Sequence, residues 1–372
     1  MAEEINEPDR VPGAPHPRET LALIGQEAAE TAFLDGFNTG RMHHAWMLTG
    51  PRGVGKATLA WSIARFLLAT PDPDGDDMFG APVLPTSLHI DPEHPVARRI
   101  SAGADPGLIS VTRTPNEKTG RMRDQIVVDD IRKLTGFFQM SATDGGRRVV
   151  IIDAADDMNT QAANALLKML EEPPERCTLL LITHQPSRLL PTIRSRCRTL
   201  RLGTLNGEQM NSAMAQAEVE ADANAAALAE LSGGSVGEAM RLSLLGGLQI
   251  YTEIVGILGS LPNMDRARTL RLAEAAAQRG AEEKLDLLFT LLEIALARLA
   301  RTGATGQPPQ IEAAPHEASI MSRLASTPHQ GRAWADVGHE AMARARHGRA
   351  VNLDPAALVL DTIFKIQGAA AS

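Results

Sequence analysis

Cysteine is nearly absent from this chain: its 372 residues include two, Cys177 and Cys197. Two thiols cannot build a four-cysteine zinc site and offer no disulfide framework, so a reducing cytoplasm is the expected compartment. Aromatic residues are scarce too, at 3%, which argues against a platform that stacks single-stranded bases. Basic charge is not in excess: 37 Lys and Arg face 45 Asp and Glu, a formal net charge of −8. A chain that coats nucleic acid by neutralising phosphates needs the opposite balance. No apolar run approaches the ~18 residues of a membrane span. The opening MAEEINEPDR has neither the basic start nor the apolar core of a signal peptide. What remains is a globular chain, 44% hydrophobic, long enough for two or three domains.

Its organisation follows from hydrophobic patterning. Residues 1–17 are acidic and proline-bearing, and are expected to be a disordered tail. TLALIGQEAAETAFLDGF reads as a helix with Leu21, Ile24, Ala28, Ala32 and Leu34 on one face. AWMLTG is a short apolar strand leading into a glycine-rich turn and a helix over 56–69. Residues 70–107 hold seven prolines and read as an irregular insertion with one short helix near 94–101. LISVT, RRVVIID and CTLLLITH then read as strands, alternating with the helices IVVDDIRKLTGFFQMSA and NTQAANALLKMLEEPP. Apolar strands alternating with helices predict an α/β domain, a parallel sheet covered on both faces. After about Leu205 the strand patterns cease, and alanine- and leucine-rich helices continue to the end. These shifts set an expected α/β domain over 18–204, followed by all-helical material.

The strongest motif is Gly50-Pro51-Arg52-Gly53-Val54-Gly55-Lys56, between a strand and a helix. Its spacing is that of a phosphate loop: glycines permit the turn, backbone N–H groups form an anion cradle, and Lys56 can reach terminal phosphate oxygens. The next position normally supplies a hydroxyl for Mg²⁺, but here it is Ala57, and Thr58 falls about 100° around the helix. The second half of such a site is an acid ending an apolar strand, and Val149-Val150-Ile151-Ile152-Asp153 provides it. The following residue, where a hydrolase places the glutamate that orients water, is Ala154. The motif keeps the frame of a nucleotide site and lacks the parts that act on metal and water. His89, Asp91, Glu93 and His94 read as an exposed polar turn rather than metal ligands.

HAWMLTGPRGVGKATLA, NALLKMLEEPP and LLPTIRSRCRTLRL together resemble bacterial clamp-loader proteins of the AAA+ class, most closely the delta-prime kind of DNA polymerase III. The likeness is strong over about 18–205 and weak beyond. It implies an AAA+ parallel-sheet domain, a small helical lid over 205–245 and a helical collar over 246–372. It also implies a hetero-oligomeric ring with tau/gamma and delta subunits that loads a sliding clamp on primer-template DNA.

Read alone, Arg196 is one of a basic stripe with Arg188, Arg194, Arg198 and Arg201. In the family, Ser195-Arg196-Cys197 is the interface motif whose arginine reaches the neighbour's ATP, which implies a trans-acting catalytic Arg196. Thr183 matches the family's sensor beside the γ-phosphate, although a strand-end hydroxyl satisfying backbone is an equal reading. Gly50, Gly53, Gly55, Lys56, Asp153 and Thr183 would then form a degenerate nucleotide site. Relatives often hold a four-cysteine zinc module between the phosphate loop and the next strand, but 70–107 has no cysteine, so no zinc is expected. In ATPase relatives the lid supplies a Gly-Ser-x-Arg sensor arginine. SGGSVGEAMRL has Gly237 or Glu238 there, with Arg241 a helical turn further on.

The expected function is a non-hydrolysing, cytoplasmic clamp-loader subunit with no autonomous ATPase, no required cofactor and at most weak ATP binding. A self-sufficient AAA+ ATPase of the tau/gamma or helicase kind would want Ser or Thr at 57, Glu at 154 and a sensor arginine near 237. A small-molecule kinase leaves the long helical tail unexplained.

Overall fold

The structure is a computed structural model. It describes residues 10, 14–20, 22–71, 84–116, 119–120, 122–139, 146–217, 224–278 and 280–371. Residue contacts divide the chain into two units: Met1–Glu218 with Ser235–Gly237, and Val219–Gly234 with Glu238–Ser372.

The first unit is built on five strands: β1 (Ala45–Thr49), β2 (Leu108–Val111), β3 (Arg148–Asp153), β4 (Cys177–Thr183) and β5 (Arg198–Arg201). All pair in parallel, in the order β2-β3-β4-β1-β5. Its helices are α1 (Glu27–Asn38), α2 (Lys56–Ala69), α3 (Pro95–Ser101), α4 (Val128–Gln139), α5 (Thr160–Glu171), α6 (Pro191–Arg194) and α7 (Gly207–Gln216). Strand alternation sorts the core into two layers. Trp46, Leu48, Val149, Ile151, Leu180 and Ile182 pack with Phe33 and Phe37 of α1 and with Leu59, Ile63 and Phe66 of α2. Met47, Val150, Ile152, Leu179 and Leu181 face Ile131 and Leu134 of α4 and Leu166 and Leu170 of α5. Each such side chain contributes about 1.5–3 kcal/mol by leaving water, so the strands that carry the site are held from both sides.

Three sequence expectations change here. The first helix begins at Glu27, with Gly25 at φ +73° before it. Its buried face is Ala29, Phe33, Leu34 and Phe37, whereas Ala28 is exposed, Ile24 precedes the helix and Leu21 lies outside the described residues. The tail expected over 1–17 is ordered at its inner end: Ala14 and His16 are buried, and the His16 ring meets Trp61 edge-on at 5.6 Å. Residues 1–9 and 11–13 of that tail, and 72–83 of the insertion, lie outside the described residues. Strand β5 was hidden in sequence because only Leu200 of Arg198–Arg201 is buried, the pattern of an edge strand rather than of a central one.

The second unit is helical: α8 (Ala225–Leu231), most of α9 (Val236–Leu244), α10 (Gly247–Gly259), α11 (Arg266–Ala276), α12 (Glu282–Thr305), α13 (Glu317–Leu324), α14 (Pro328–Ala350) and α15 (Pro355–Ala371). Its buried polar centre is Glu317, fully buried. That carboxylate accepts from Tyr251 Oη at 2.5 Å, from the Ala313 N–H at 2.7 Å and pairs with Arg298 Nε at 2.9 Å, the satisfaction a buried charge requires. Among the described residues no single helix is long and apolar enough to cross a membrane.

Candidate nucleotide site and interface arginine

Strand β1 ends at Thr49 and α2 begins at Lys56, so the glycine loop occupies the C-terminal edge of the sheet, where open parallel sheets bind ligands. Gly53 and Gly55 have φ of +70° and +95°, values that favour glycine. No side chain caps α2. Among the described residues, none of the N–H groups of Arg52, Gly53, Val54 and Gly55 finds an acceptor. Unpaired N–H groups at a helix N-terminus make an anion cradle.

Lys56 is buried, and its Nζ donates to the carbonyls of Gly50 at 2.8 Å and Pro51 at 2.5 Å. Burial pushes its pKa down to about 8, with Arg52 adding to the fall and Asp153 and Asp156 opposing it. The loop is also braced from behind. Buried Gln26 donates to Val54 O at 3.1 Å and Gly203 O at 2.9 Å, and accepts from Gly203 N at 3.0 Å. Gly237 N donates to Gly53 O at 3.1 Å. A side chain on Gly53 would run into Ser235 Oγ and the Gly237 backbone.

Asp153 ends β3, and its charge supports that of Lys56. Ala154 is buried behind it. Asp156, unremarkable in sequence, is buried and accepts the backbone N–H groups of His184 (3.1 and 3.3 Å) and Gln185 (3.1 Å). Burial works to raise its carboxyl, but these N–H groups and the His184 ring hold it below the usual carboxylate range. Thr183 pairs in register with Thr49 next to the loop. Its side chain is fully buried and Oγ1 has no partner among the described residues. His184 follows, with Nδ1 likewise buried and unpartnered. Burial, then the charge of Lys56, then Arg52 lower its pKa to about 4 against the pull of Asp156.

The donor set suits a phosphate and offers a directly coordinated Mg²⁺ little beyond the Asp153 carboxylate. Ala57 offers a methyl group, and the Asp156 carboxylate is engaged by backbone.

Gly50, Gly53, Gly55, Lys56, Asp153 and Thr183 thus lie at one end of the sheet, and Arg196 does not join them. It precedes β5, whose four residues carry the chain about 13 Å at ~3.3 Å each towards the loop. Its Nη1 donates to Thr192 O at 3.0 Å and its Nη2 pairs with Glu171 at 3.0 Å. Both partners are partly exposed. Arg196 therefore faces away from its own phosphate loop. The suspected polar turn is one: His94 caps α3 through Val96 N at 3.3 Å, Asp91 accepts from Glu93 N at 2.8 Å, and Glu93 pairs with Arg98. Among the described residues no group of three His, Cys, Asp or Glu is placed to hold a metal.

A parallel sheet in the order β2-β3-β4-β1-β5, a phosphate loop after β1 and an acid at the end of β3 define an α/β domain of the phosphate-loop kind, here with a helical C-terminal region. Residues 25–206 match the family described as DNA polymerase III, delta subunit. DNA polymerase III subunit delta' of Pseudomonas aeruginosa is 42% identical over 154 residues, 41% of this chain and 41% of that protein. DNA polymerase III subunit tau of Escherichia coli is 29% identical over 281 residues, 73% of this chain and 40% of that one. The chain thus spans about two fifths of the length of these relatives. A gamma-subunit-related protein from Thermotoga maritima superposes at 16% identity with a TM-score of 0.41, over 91% of this chain and 99% of that one, too loosely to bear on function. Over its α/β portion, residues 25–206, the chain is thus similar to the delta-prime kind of DNA polymerase III subunit.

Proposed function

We propose that the chain is a non-hydrolysing clamp-loader subunit that joins tau/gamma and delta subunits in a cytoplasmic hetero-oligomeric ring and helps place a sliding clamp on primed DNA. In this reading 205–245 is the lid and 246–372 the collar that joins subunits. Its own nucleotide site binds ATP weakly or without turnover, and it needs neither zinc nor another cofactor. Arg196 is lent to the neighbour. The observation that carries the reading is the separation within one domain: a phosphate loop with Ala57 and Ala154 at one end of the sheet, and a surface arginine entering β5 at the other. A guanidinium presents a planar fork to a γ-phosphate, and such a finger supplied in trans is worth roughly 10³–10⁵ in rate.

A loop stripped of the Mg²⁺ hydroxyl and the water-orienting glutamate disfavours a self-sufficient ATPase. Purified protein is expected to show no ATP turnover; turnover abolished by Lys56→Ala would defeat the proposal. In an assembly rebuilt with tau/gamma and delta, Arg196→Ala is expected to leave the subunits associated but suppress DNA- and clamp-stimulated hydrolysis. A normal rate in that assembly would remove Arg196 from the reaction.

A further inference from the structure

The residues around the phosphate loop point to a particular form of ligand, an inference that rests on the loop being a nucleotide site. We propose that the loop binds a nucleoside polyphosphate free of divalent metal, with Arg52, Lys56 and a protonated His184 supplying the positive charge that Mg²⁺ supplies elsewhere.

Four observations carry this. The N–H groups of Arg52, Gly53, Val54 and Gly55 are unpaired among the described residues, so the cradle is open to an anion. The strap at Ser235–Gly237 takes the Gly53 carbonyl and leaves its N–H alone. Two buried polar atoms beside the loop, Thr183 Oγ1 and His184 Nδ1, have no partner among the described residues, and each such orphan is a standing cost until something satisfies it. Finally, the groups that would draw a metal are reduced to the Asp153 carboxylate, since Ala57 has no oxygen and Asp156 is committed to the N–H groups of His184 and Gln185.

The groups facing His184 are Lys56 on α2, Arg52 in the loop and Asp156 after β3. Burial keeps the imidazole neutral in the free protein, and two of these three groups, being cations, add to that. A polyphosphate among them reverses the local field, so His184 takes up a proton on binding. The sign follows from linkage: a group protonated only in the complex strengthens binding as pH falls. Lys56, with its pKa of about 8, adds a second slope above pH 7. The ligand's terminal phosphate titrates at about pH 6 as well, so the part of the slope from pH 7 to 6 that belongs to His184 is the part that His184→Gln removes.

The test is equilibrium titration of the full chain with a fluorescent ATP analogue, in EDTA and in excess Mg²⁺, at pH 6, 7 and 8. The expected result is an affinity in EDTA at least equal to that in Mg²⁺, several-fold tighter at pH 6 than at pH 7. His184→Gln should fold normally by circular dichroism and show a shallower slope between pH 7 and 6. Ala57→Thr, which restores the hydroxyl, should make binding respond to Mg²⁺. Binding tightened tenfold or more by Mg²⁺ in the unaltered chain, an unchanged slope in His184→Gln, or no binding at millimolar analogue would each overturn the inference. None of these outcomes touches the trans role of Arg196, which the rebuilt assembly decides separately.

Discussion

Thr183 is the residue at which two physical accounts part most cleanly. A strand-end hydroxyl that satisfied the backbone would have a partner, yet Oγ1 is buried without one among the described residues. Replacing a buried, unsatisfied hydroxyl by an apolar group of similar shape removes a cost of about 1–3 kcal/mol. Thr183→Val is therefore expected to raise the urea midpoint of the free protein or leave it unchanged, while weakening binding of the ATP analogue. A loss of more than about 1 kcal/mol in the free protein would mean that the hydroxyl has a structural duty. The residues legible in sequence were those whose chemistry depends on local spacing, namely the glycines, Lys56 and Asp153. Gln26, Asp156 and His184 were not legible. Gln26 acts on Gly203, 177 positions away, and Asp156 acts on backbone N–H groups 28 and 29 positions on. No window of sequence contains both partners.

At the scale of elements, α12 and α14 approach each other so closely that side chains are excluded from the crossing. A Cβ on Gly303 would lie 2.5 Å from Gly331 Cα and 2.9 Å from Thr327 O, and one on Gly331 would lie 2.8 Å from Ala300 O. All of these neighbours are backbone, so relief requires the helices to separate along packed faces. Gly303→Ala gains helix propensity of roughly 1 kcal/mol and loses about 1–3 kcal/mol or more to overpacking. Net destabilisation is expected, read as a lower melting temperature, and Gly331→Ala should behave alike. A higher melting temperature in either variant would show that the helices are not in backbone contact. The same contrast explains which elements could be read in advance. Helix α2 runs over 56–69, as its pattern predicts, because its alternation of glycine loop and apolar face is local. Helix α1 was anticipated too early because Gly25 and the Gln26 clamp hold the chain out of helical conformation there. Strand β5 was missed because one buried leucine is too little signal for a strand whose partner, β1, lies far back in the chain.

For the molecule as a whole, the shortage of basic charge noted at the outset has a measurable consequence. Net charge is −8, and the concentrated positive charge lies in the arginines of 188–201. That stripe is less available than its sequence suggests. Arg196 is paired with Glu171, and Arg198 lies over the Trp46 ring at 5.1 Å. Arg188, Arg194 and Arg201 are exposed. Three such cations neutralise at most about three phosphates, so the slope of log K against log salt should not exceed roughly 3 in magnitude, against 6 to 10 for proteins that grip the duplex. The isolated chain is expected to bind short primer-template DNA in the weak, non-specific range of about 10⁻⁴–10⁻⁶ M at physiological salt, as measured by fluorescence anisotropy. In the assembly proposed above the same stripe would sit among other subunits, and a much steeper slope there would belong to the combined surface. A steep slope in the isolated chain would instead mean that the acidic excess lies on other faces and that this chain holds DNA by itself.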